Sequence, residues 1–309
     1  MQGTKIHVCI RVRPISNRER KSVVGRVAWR WGEEQKSESE QDNSTTTTTT
    51  TSTATTAKPP ISYIEQIWFP PGQQTRLRST FYFDRLFGPK IHTSPIYQAV
   101  ASPIIESSVA GYHGAIFCYG QTSTGKTYTM QGSPSHPGLI PLAVHDVFRN
   151  ISLQNDRQFV LRVSYLEIYN ETVNDLLRPS SMNLRIFDDP EKGVLIKGLE
   201  ETLVVSPEQV FALIAAGESH RHVGSTNFNH RSSRSHTIFR LIIESRGREK
   251  EVEEAAYRNG PRAPRTPTSG GKAALVSTLS LVDLAGSESA TASKRSKKRR
   301  AEGRFKIEK

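Results

Sequence analysis

Apolar positions along the chain fall into two alternating periodicities. Residues 6–12 form a short apolar, β-branched run that stops at Pro14, and residues 61–69 resume the same strand-like pattern. The stretch Ala115-Ile116-Phe117-Cys118-Tyr119 reads as a short buried strand. Residues 159–169 alternate and are strongly β-prone, and 238–243 and 275–284 are again strands. Residues 207–216 carry helical spacing, with Ser206 placed as the N-cap. Strands alternating with helical stretches around a central sheet predict a three-layer α/β architecture.

Two polar tracts interrupt this pattern. From about 33 to 60 the composition collapses to Glu, Ser, Gln and Thr, with seven consecutive threonines at 45–51. From about 246 to 272 it turns rich in Pro, Gly and charge. Neither tract can bury enough apolar surface to offset the entropy of ordering, so both are expected to be disordered inserts. The hydrophobic fraction of 35% fits polar inserts in a real core. With 309 residues, there is room for two average domains of about 150 residues or one large one.

Composition excludes several classes. No apolar run approaches the roughly 18 residues of a membrane span. The N-terminal sequence MQGTKIHVCIRVRP lacks a secretory apolar core, so a cytoplasmic location is expected. Two cysteines, Cys9 and Cys118, cannot form a disulfide framework or a four-cysteine zinc site, and read as buried thiols. The net charge is +12, but residues 289–309 hold nine Lys/Arg against two Glu, which places most of the excess in a basic tail. The cluster at 294–300 would attract any polyanion.

The chemistry sits at Gly120-Gln121-Thr122-Ser123-Thr124-Gly125-Lys126-Thr127, which fits G-x-x-x-x-G-K-[ST] at every fixed position. An apolar strand precedes it and a helix-compatible stretch follows. Glycines let the backbone wrap its N–H groups around a phosphate. Lys126 would reach the β- and γ-phosphates, and Thr127 would ligate Mg²⁺ through its hydroxyl. Downstream, the strand ending at Asp283-Leu284-Ala285-Gly286 offers an acid to hold Mg²⁺ through water and a glycine N–H to sense the γ-phosphate. Between them, Asn229-His230-Arg231-Ser232-Ser233-Arg234-Ser235-His236 packs hydroxyls, an amide and a guanidinium into eight residues. Alone, either downstream segment could be a polar turn; three phosphate-compatible segments in this order argue for a nucleoside triphosphate site.

These residues resemble a kinesin motor domain. The match rests on Arg11-Val12-Arg13-Pro14, the P-loop 120–127, a switch I run at 229–236 and a switch II run at 283–288. It is supported by Phe81-Tyr82-Phe83-Asp84-Arg85-Leu86-Phe87 and Tyr165-Leu166-Glu167-Ile168-Tyr169-Asn170-Glu171. Segments 161–177 and 235–246 are most similar to the centromere-associated, kinesin-7 branch. The resemblance implies an α/β P-loop NTPase of kinesin type, with a central, mostly parallel sheet flanked by helices. It implies one motor domain over 1–309, binding ATP and Mg²⁺, hydrolysing ATP, and coupling hydrolysis to microtubule (tubulin) binding and movement.

By the same resemblance, Arg11 and Pro14 would border the adenine with Tyr128 stacking nearby. Residues Gly120, Gln121, Thr122, Ser123, Thr124, Gly125, Lys126 and Thr127 would cradle the phosphates. Thr127, Ser233 and Asp283 would lie on the Mg²⁺ side. Asn229 and Ser232 would place the attacking water, Gly286 would sense the γ-phosphate, and an Arg234–Glu288 salt bridge would close the switches. The location would be cytoskeletal, on microtubules and the spindle, with no membrane and no nucleic-acid partner. A coiled-coil dimer would arise only in a full-length relative.

The family pattern continues beyond switch II with further helices, a last core strand and a neck linker, whereas this sequence stops at Lys309. The expectation is therefore a motor domain with its C-terminal part missing. The competing reading is a truncated nucleotide-binding microtubule-associated or scaffold protein without motility. A small GTPase would need an Asn-Lys-x-Asp base-reading motif, which the sequence lacks. The 294–300 cluster would grip acidic tubulin tails in a salt-sensitive way, the competing reading being a solvated or nuclear-import patch.

Overall fold

The computed structural model describes residues 6–15, 29–34, 61–68, 77–190, 193–223, 234–248 and 274–288. The chain divides into two compact units, Met1–Ile91 and His92–Lys309.

In the first unit, β1 (Cys9–Arg11) runs parallel to β5 (Arg85–Phe87), with Cys9 opposite Arg85. The pairing is fixed at both ends: the Val8 N–H donates to Asp84 Oδ2 at 2.8 Å, and the Val12 N–H to the Phe87 carbonyl at 2.8 Å. A separate antiparallel sheet joins β2 (Trp29–Glu34), β3 (Ile61–Trp68) and β4 (Leu77–Phe83) in that order. Glu33 and Glu34 pair with Ser62 and Ile61. The first insert therefore begins after 34, not at 33, because charged residues are well tolerated on an edge strand. Residues 35–60 lie outside the described residues.

The second unit opens with a continuous helical stretch: α1 (Thr93–Ile96), a π-helical turn at Tyr97–Ala101, and α2 (Ser102–Val109). Then follow β6 (Gly114–Cys118), α3 (Lys126–Met130), the small hairpin β7 (Gly132–Ser133) and β8 (His136–Pro137), and α4 (Leu139–Ser152). Next come β9 (Arg157–Tyr169), β10 (Thr172–Asp175), the hairpin β11 (Arg185–Asp189) and β12 (Gly193–Lys197), and β13 (Thr202–Val204). The described elements close with α5 (Pro207–Val223), β14 (His236–Gly247) and β15 (Leu275–Asp283). Ser206 caps α5 as expected. Its Oγ accepts the Gln209 N–H at 3.4 Å, while Gln209 Oε1 accepts the Val205 N–H at 3.0 Å.

The central sheet has the order β10–β9–β14–β15–β6, with β13 also on β9. It is mixed, not mostly parallel as expected: among the described strands of this sheet β15–β6 is parallel, and the β10–β9, β13–β9, β14–β9 and β14–β15 pairings are antiparallel. The connections explain this. β9 turns into β10 through Asn170 and Glu171, both at positive φ (51° and 60°), and such tight hairpins give antiparallel neighbours. β14 extends to Gly247, pairing Arg246 with Gln158, so the second insert starts later than 246. Residues 249–273 lie outside the described residues.

Strand register places the core. Tyr165, Phe239, Leu281 and Ile116 form one cross-strand row; Val163, Leu241, Leu279 and Gly114 form the next. These rows meet Ile105, Val109, Ile140, Val144, Val147 and Val210 from α2, α4 and α5 in one buried cluster. Along the same face, one step towards the end of β6, lies a polar row of Glu167, Thr237, Asp283 and Cys118. Across the π turn, Tyr97 and Ser102 both reach the buried Asp146 of α4, at 2.7 and 3.3 Å. Cys9 and Cys118 are half-buried rather than buried. Burial still raises the Cys9 thiol pKa, with Asp84 adding to it. Among the described residues, no helix is long and apolar enough to cross a membrane.

Candidate active site

The P-loop is the turn between β6 and α3, at the end of the parallel β15–β6 pair. Gly125 occupies the left-handed region (φ 96°) as the residue before α3, where a Cβ would meet nothing within 4 Å. Its glycine is required by the backbone angle alone. The loop closes on one carbonyl. The Gln121 oxygen accepts Lys126 Nζ at 2.9 Å and Thr124 Oγ1 at 2.8 Å, so the ammonium lies folded across the loop.

The parallel register puts Asp283 beside Cys118, directly at the foot of this loop. From there the Thr127 hydroxyl donates to Asp283 Oδ2 at 2.5 Å. Asp283 is 5% exposed, and its other oxygen, Oδ1, has no hydrogen-bond partner. Burial raises its pKa, against the lowering effects of the Thr127 hydroxyl, Arg221 and Lys126. Orphaned buried carboxylate oxygens are costly, and this one lies in the row that ends at the P-loop strand.

Beyond Asp283 the chain stays against the loop. The Leu284 N–H donates to the Cys118 carbonyl at 3.2 Å, and the Ser287 N–H to the Gly120 carbonyl at 3.1 Å. His236, at the start of β14, accepts the Ala285 N–H on Nδ1 at 3.1 Å, which joins the end of the switch I run to switch II. Glu288 then latches onto the P-loop. One carboxylate oxygen accepts the Thr122 N–H at 2.9 Å and the other accepts the Thr122 hydroxyl. These bonds hold the exposed Glu288 carboxyl below its ordinary pKa, the Thr122 hydroxyl contributing most. Gly286 lies under this latch: a Cβ there would sit 2.5 Å from both Glu288 Oε1 and Thr122 Oγ1.

The expected Arg234–Glu288 ion pair is not formed in this structure. Arg234 is exposed, and Glu288 is held by the loop. Physics favours that outcome: an exposed ion pair is worth about 0–1 kcal/mol, less than two hydrogen bonds to a carboxylate. Arg11 and Pro14 lie in the first unit, at the end of β1 and just after it. Tyr128 is 42% exposed on α3. Asn229, Ser232 and Ser233 lie outside the described residues.

Sequence reasoning missed a second polar group behind the site: Gln131, Tyr165, Glu167, Glu218 and Arg221. One signal was present. Glu167 follows Leu161, Val163 and Tyr165 at period two, so a charge was being carried on the buried face of a strand.

The kinesin motor domain family model matches residues 11–309. The chain is 51% identical over 210 residues to the kinesin-like protein KIN-7I of Oryza sativa subsp. japonica, covering 68% of this chain and 16% of that one. It is 50% identical to KIN-7O of Arabidopsis thaliana, with the same coverage. The chain thus spans under a fifth of the length of these relatives. A solved structure described as a fast kinesin superposes with a TM-score of 0.67 at 30% identity, covering 92% of this chain and 66% of the other. On this match, this chain belongs to the kinesin motor domain family, and its relatives among the plant KIN-7 proteins agree with a kinesin-7 branch.

Proposed function

We propose that this chain binds and hydrolyses ATP and couples that cycle to microtubule binding and movement. The observation that carries the reading is the convergence of three segments distant in sequence. Lys126 and Thr127 of the P-loop, Asp283 at the end of β15, and Gly286 and Glu288 beyond it all meet at one end of the parallel pair.

The Thr127 hydroxyl and the orphaned Asp283 Oδ1 suit a hard divalent cation that keeps waters and phosphate oxygens as its remaining ligands. Mg²⁺ there would neutralise charge on the terminal phosphates. Among the described residues, no group of three His, Cys, Asp or Glu offers a protein-only metal cage, which fits a site completed by substrate. Lys126 would exchange the Gln121 carbonyl for phosphate oxygens. Gly286 would donate its N–H to the γ-phosphate, and Glu288 would leave Thr122 to pair with Arg234 as the switches close. Asn229 and Ser232 would place the attacking water, and Ser233 would add a hydroxyl to the cation; these three roles rest on the motif. The adenine-side roles of Arg11, Pro14 and Tyr128 rest on the motif alone. Such a site works by positioning and charge stabilisation more than by covalent chemistry.

The test is ATP turnover of the purified protein with and without microtubules, with Lys126→Ala as the blank. Turnover that depends on Lys126 and rises with microtubules is the expected result. Equal turnover in wild type and Lys126→Ala overturns the site, and turnover indifferent to microtubules overturns the coupling.

A further inference from the structure

Helix α3 carries Lys126 and Thr127 but has only five residues. At 1.5 Å per residue it spans about 7.5 Å, far below the length at which a helix holds itself in water. Its orientation is therefore set by what grips its two ends. At the front, the grip is Thr127 on Asp283. At the back, it is Gln131, the residue that closes the helix with its N–H on the Thr127 carbonyl at 2.8 Å.

The Gln131 side chain donates from Nε2 to Glu218 Oε1 at 2.8 Å. Glu218 lies in the C-terminal part of α5, the helix that leads into the switch I run. The same Oε1 accepts the hydroxyl of Tyr165, a fully buried residue of β9. Glu218 Oε2 faces Arg221 Nη1 at 3.5 Å. Arg221, 4% exposed, also approaches Glu167 at 3.7 Å and the Ser235 hydroxyl at 3.5 Å. One carboxylate thus touches the end of the P-loop helix, the central sheet, and the arginine that reaches from before the switch I run to Ser235 within it. Buried polar groups of this kind hold a unique arrangement that an apolar filling of the same volume would not specify.

We propose that Glu218 is a positioning residue of the nucleotide site, acting through Gln131. Their hydrogen bond fixes the exit of the P-loop helix to the helix that leads into switch I. Phosphate contacts at Lys126 and Thr127 are thereby coupled, through Glu218 and Arg221, to α5 and to Ser235. This inference rests on the nucleotide-binding reading above. It concerns which residues couple the two parts of that site.

The experiment measures release of a fluorescent ADP analogue, its affinity, and thermal stability in the same 309-residue protein. Four variants are compared: Gln131→Met, Gln131→Glu, Glu218→Gln and the reversed pair Gln131→Glu/Glu218→Gln. Gln131→Met keeps the side-chain length and loses the donor. It is expected to speed release about tenfold, the scale of one hydrogen bond to a charged group. Gln131→Glu sets two carboxylates face to face and is expected to speed release further. Glu218→Gln keeps an acceptor for Gln131 and stays within about threefold of wild type, and the reversed pair restores donor and acceptor and returns to that range.

A merely structural role would make release follow melting temperature across the set and would give no rescue. Release that is unchanged in both Gln131 variants, or a folded reversed pair that releases as fast as Gln131→Glu, overturns the proposal alone. Wild-type binding that survives Lys126→Ala overturns the nucleotide site and the proposal with it.

Discussion

Replacing Gly286 by alanine tests whether the Glu288 latch, and not backbone conformation, is what requires a glycine there. The φ of Gly286 lies outside the left-handed region, so an L-residue fits the backbone without strain. What the new methyl meets is the Glu288 carboxylate and the Thr122 hydroxyl, at 2.5–2.6 Å. These are ends of movable side chains, so the protein can respond by opening the latch. That gives up two hydrogen bonds to an exposed carboxylate, about 1–2 kcal/mol after allowing for solvent competition. Against it, Gly→Ala at a permissive position restricts the unfolded chain and returns about 0.4–1 kcal/mol. The net loss is roughly 0–1.6 kcal/mol, or a fall of up to about 5 °C in Tm for a chain of this size. In a Thr122→Ala/Glu288→Ala background the obstructing atoms are gone, and the same substitution should be neutral or raise Tm slightly. The assay is differential scanning fluorimetry on the four proteins of this cycle, without nucleotide. An equal Tm loss in both backgrounds refutes the argument, because the cost would then lie in the backbone or in groups other than the latch.

Three further outcomes are expected. Asp283→Asn should raise Tm while abolishing Lys126-dependent turnover, because burial already favours the neutral form of this side chain. A lower Tm would show the carboxylate to be stabilising. Glu288 has a depressed pKa, so the latch is present above the ordinary glutamate value of 4.5 and is lost as pH falls through the lower folded value. The Tm advantage of wild type over Glu288→Gln should therefore shrink below pH 4.5, and an advantage that grows on acidification would contradict the assignment. Tyr97→Phe removes a buried donor to Asp146 and should cost about 1–3 kcal/mol in urea unfolding while leaving the KM for ATP unchanged.

The P-loop and the Asp-x-x-Gly turn were legible because each is a local pattern whose backbone use follows from a few adjacent residue types. Composition marks the polar tracts but not where the strands beside them stop: Glu33, Glu34, Arg246 and Gly247 are polar or small yet sit in strand ladders that only their partners define. Strand direction was misread for the same reason. Alternating apolar runs identify strands, while the tight Asn170-Glu171 turn and long hairpin connections decide which run antiparallel. The Arg234–Glu288 pair followed from family likeness and is expected of closed switches, whereas here Glu288 bonds Thr122. The group around Glu218 was invisible because its members come from the residue after α3, from β9 and from α5, which are far apart in sequence.

The same register that builds the core also aims the site. Leu279, Leu281 and Asp283 share one face of β15, so the two leucines that enter the core commit the aspartate to the face that meets Thr127. A one-residue slip of β15 would turn Asp283 to the opposite face and bring Val282 and Ser280 inward. The hydrophobic rows forbid that slip, because it would exchange buried leucines for a serine. Glu167 is fixed in the same way by Val163 and Tyr165 on β9, which places it in the row that Arg221 approaches from α5. The polar row is thus the continuation of the apolar rows by one more step, and the chemistry at its end inherits its precision from the packing behind it. Polar groups cannot specify register themselves when exposed to water, but here they need not, since each rides on a strand already fixed by residues that must be buried.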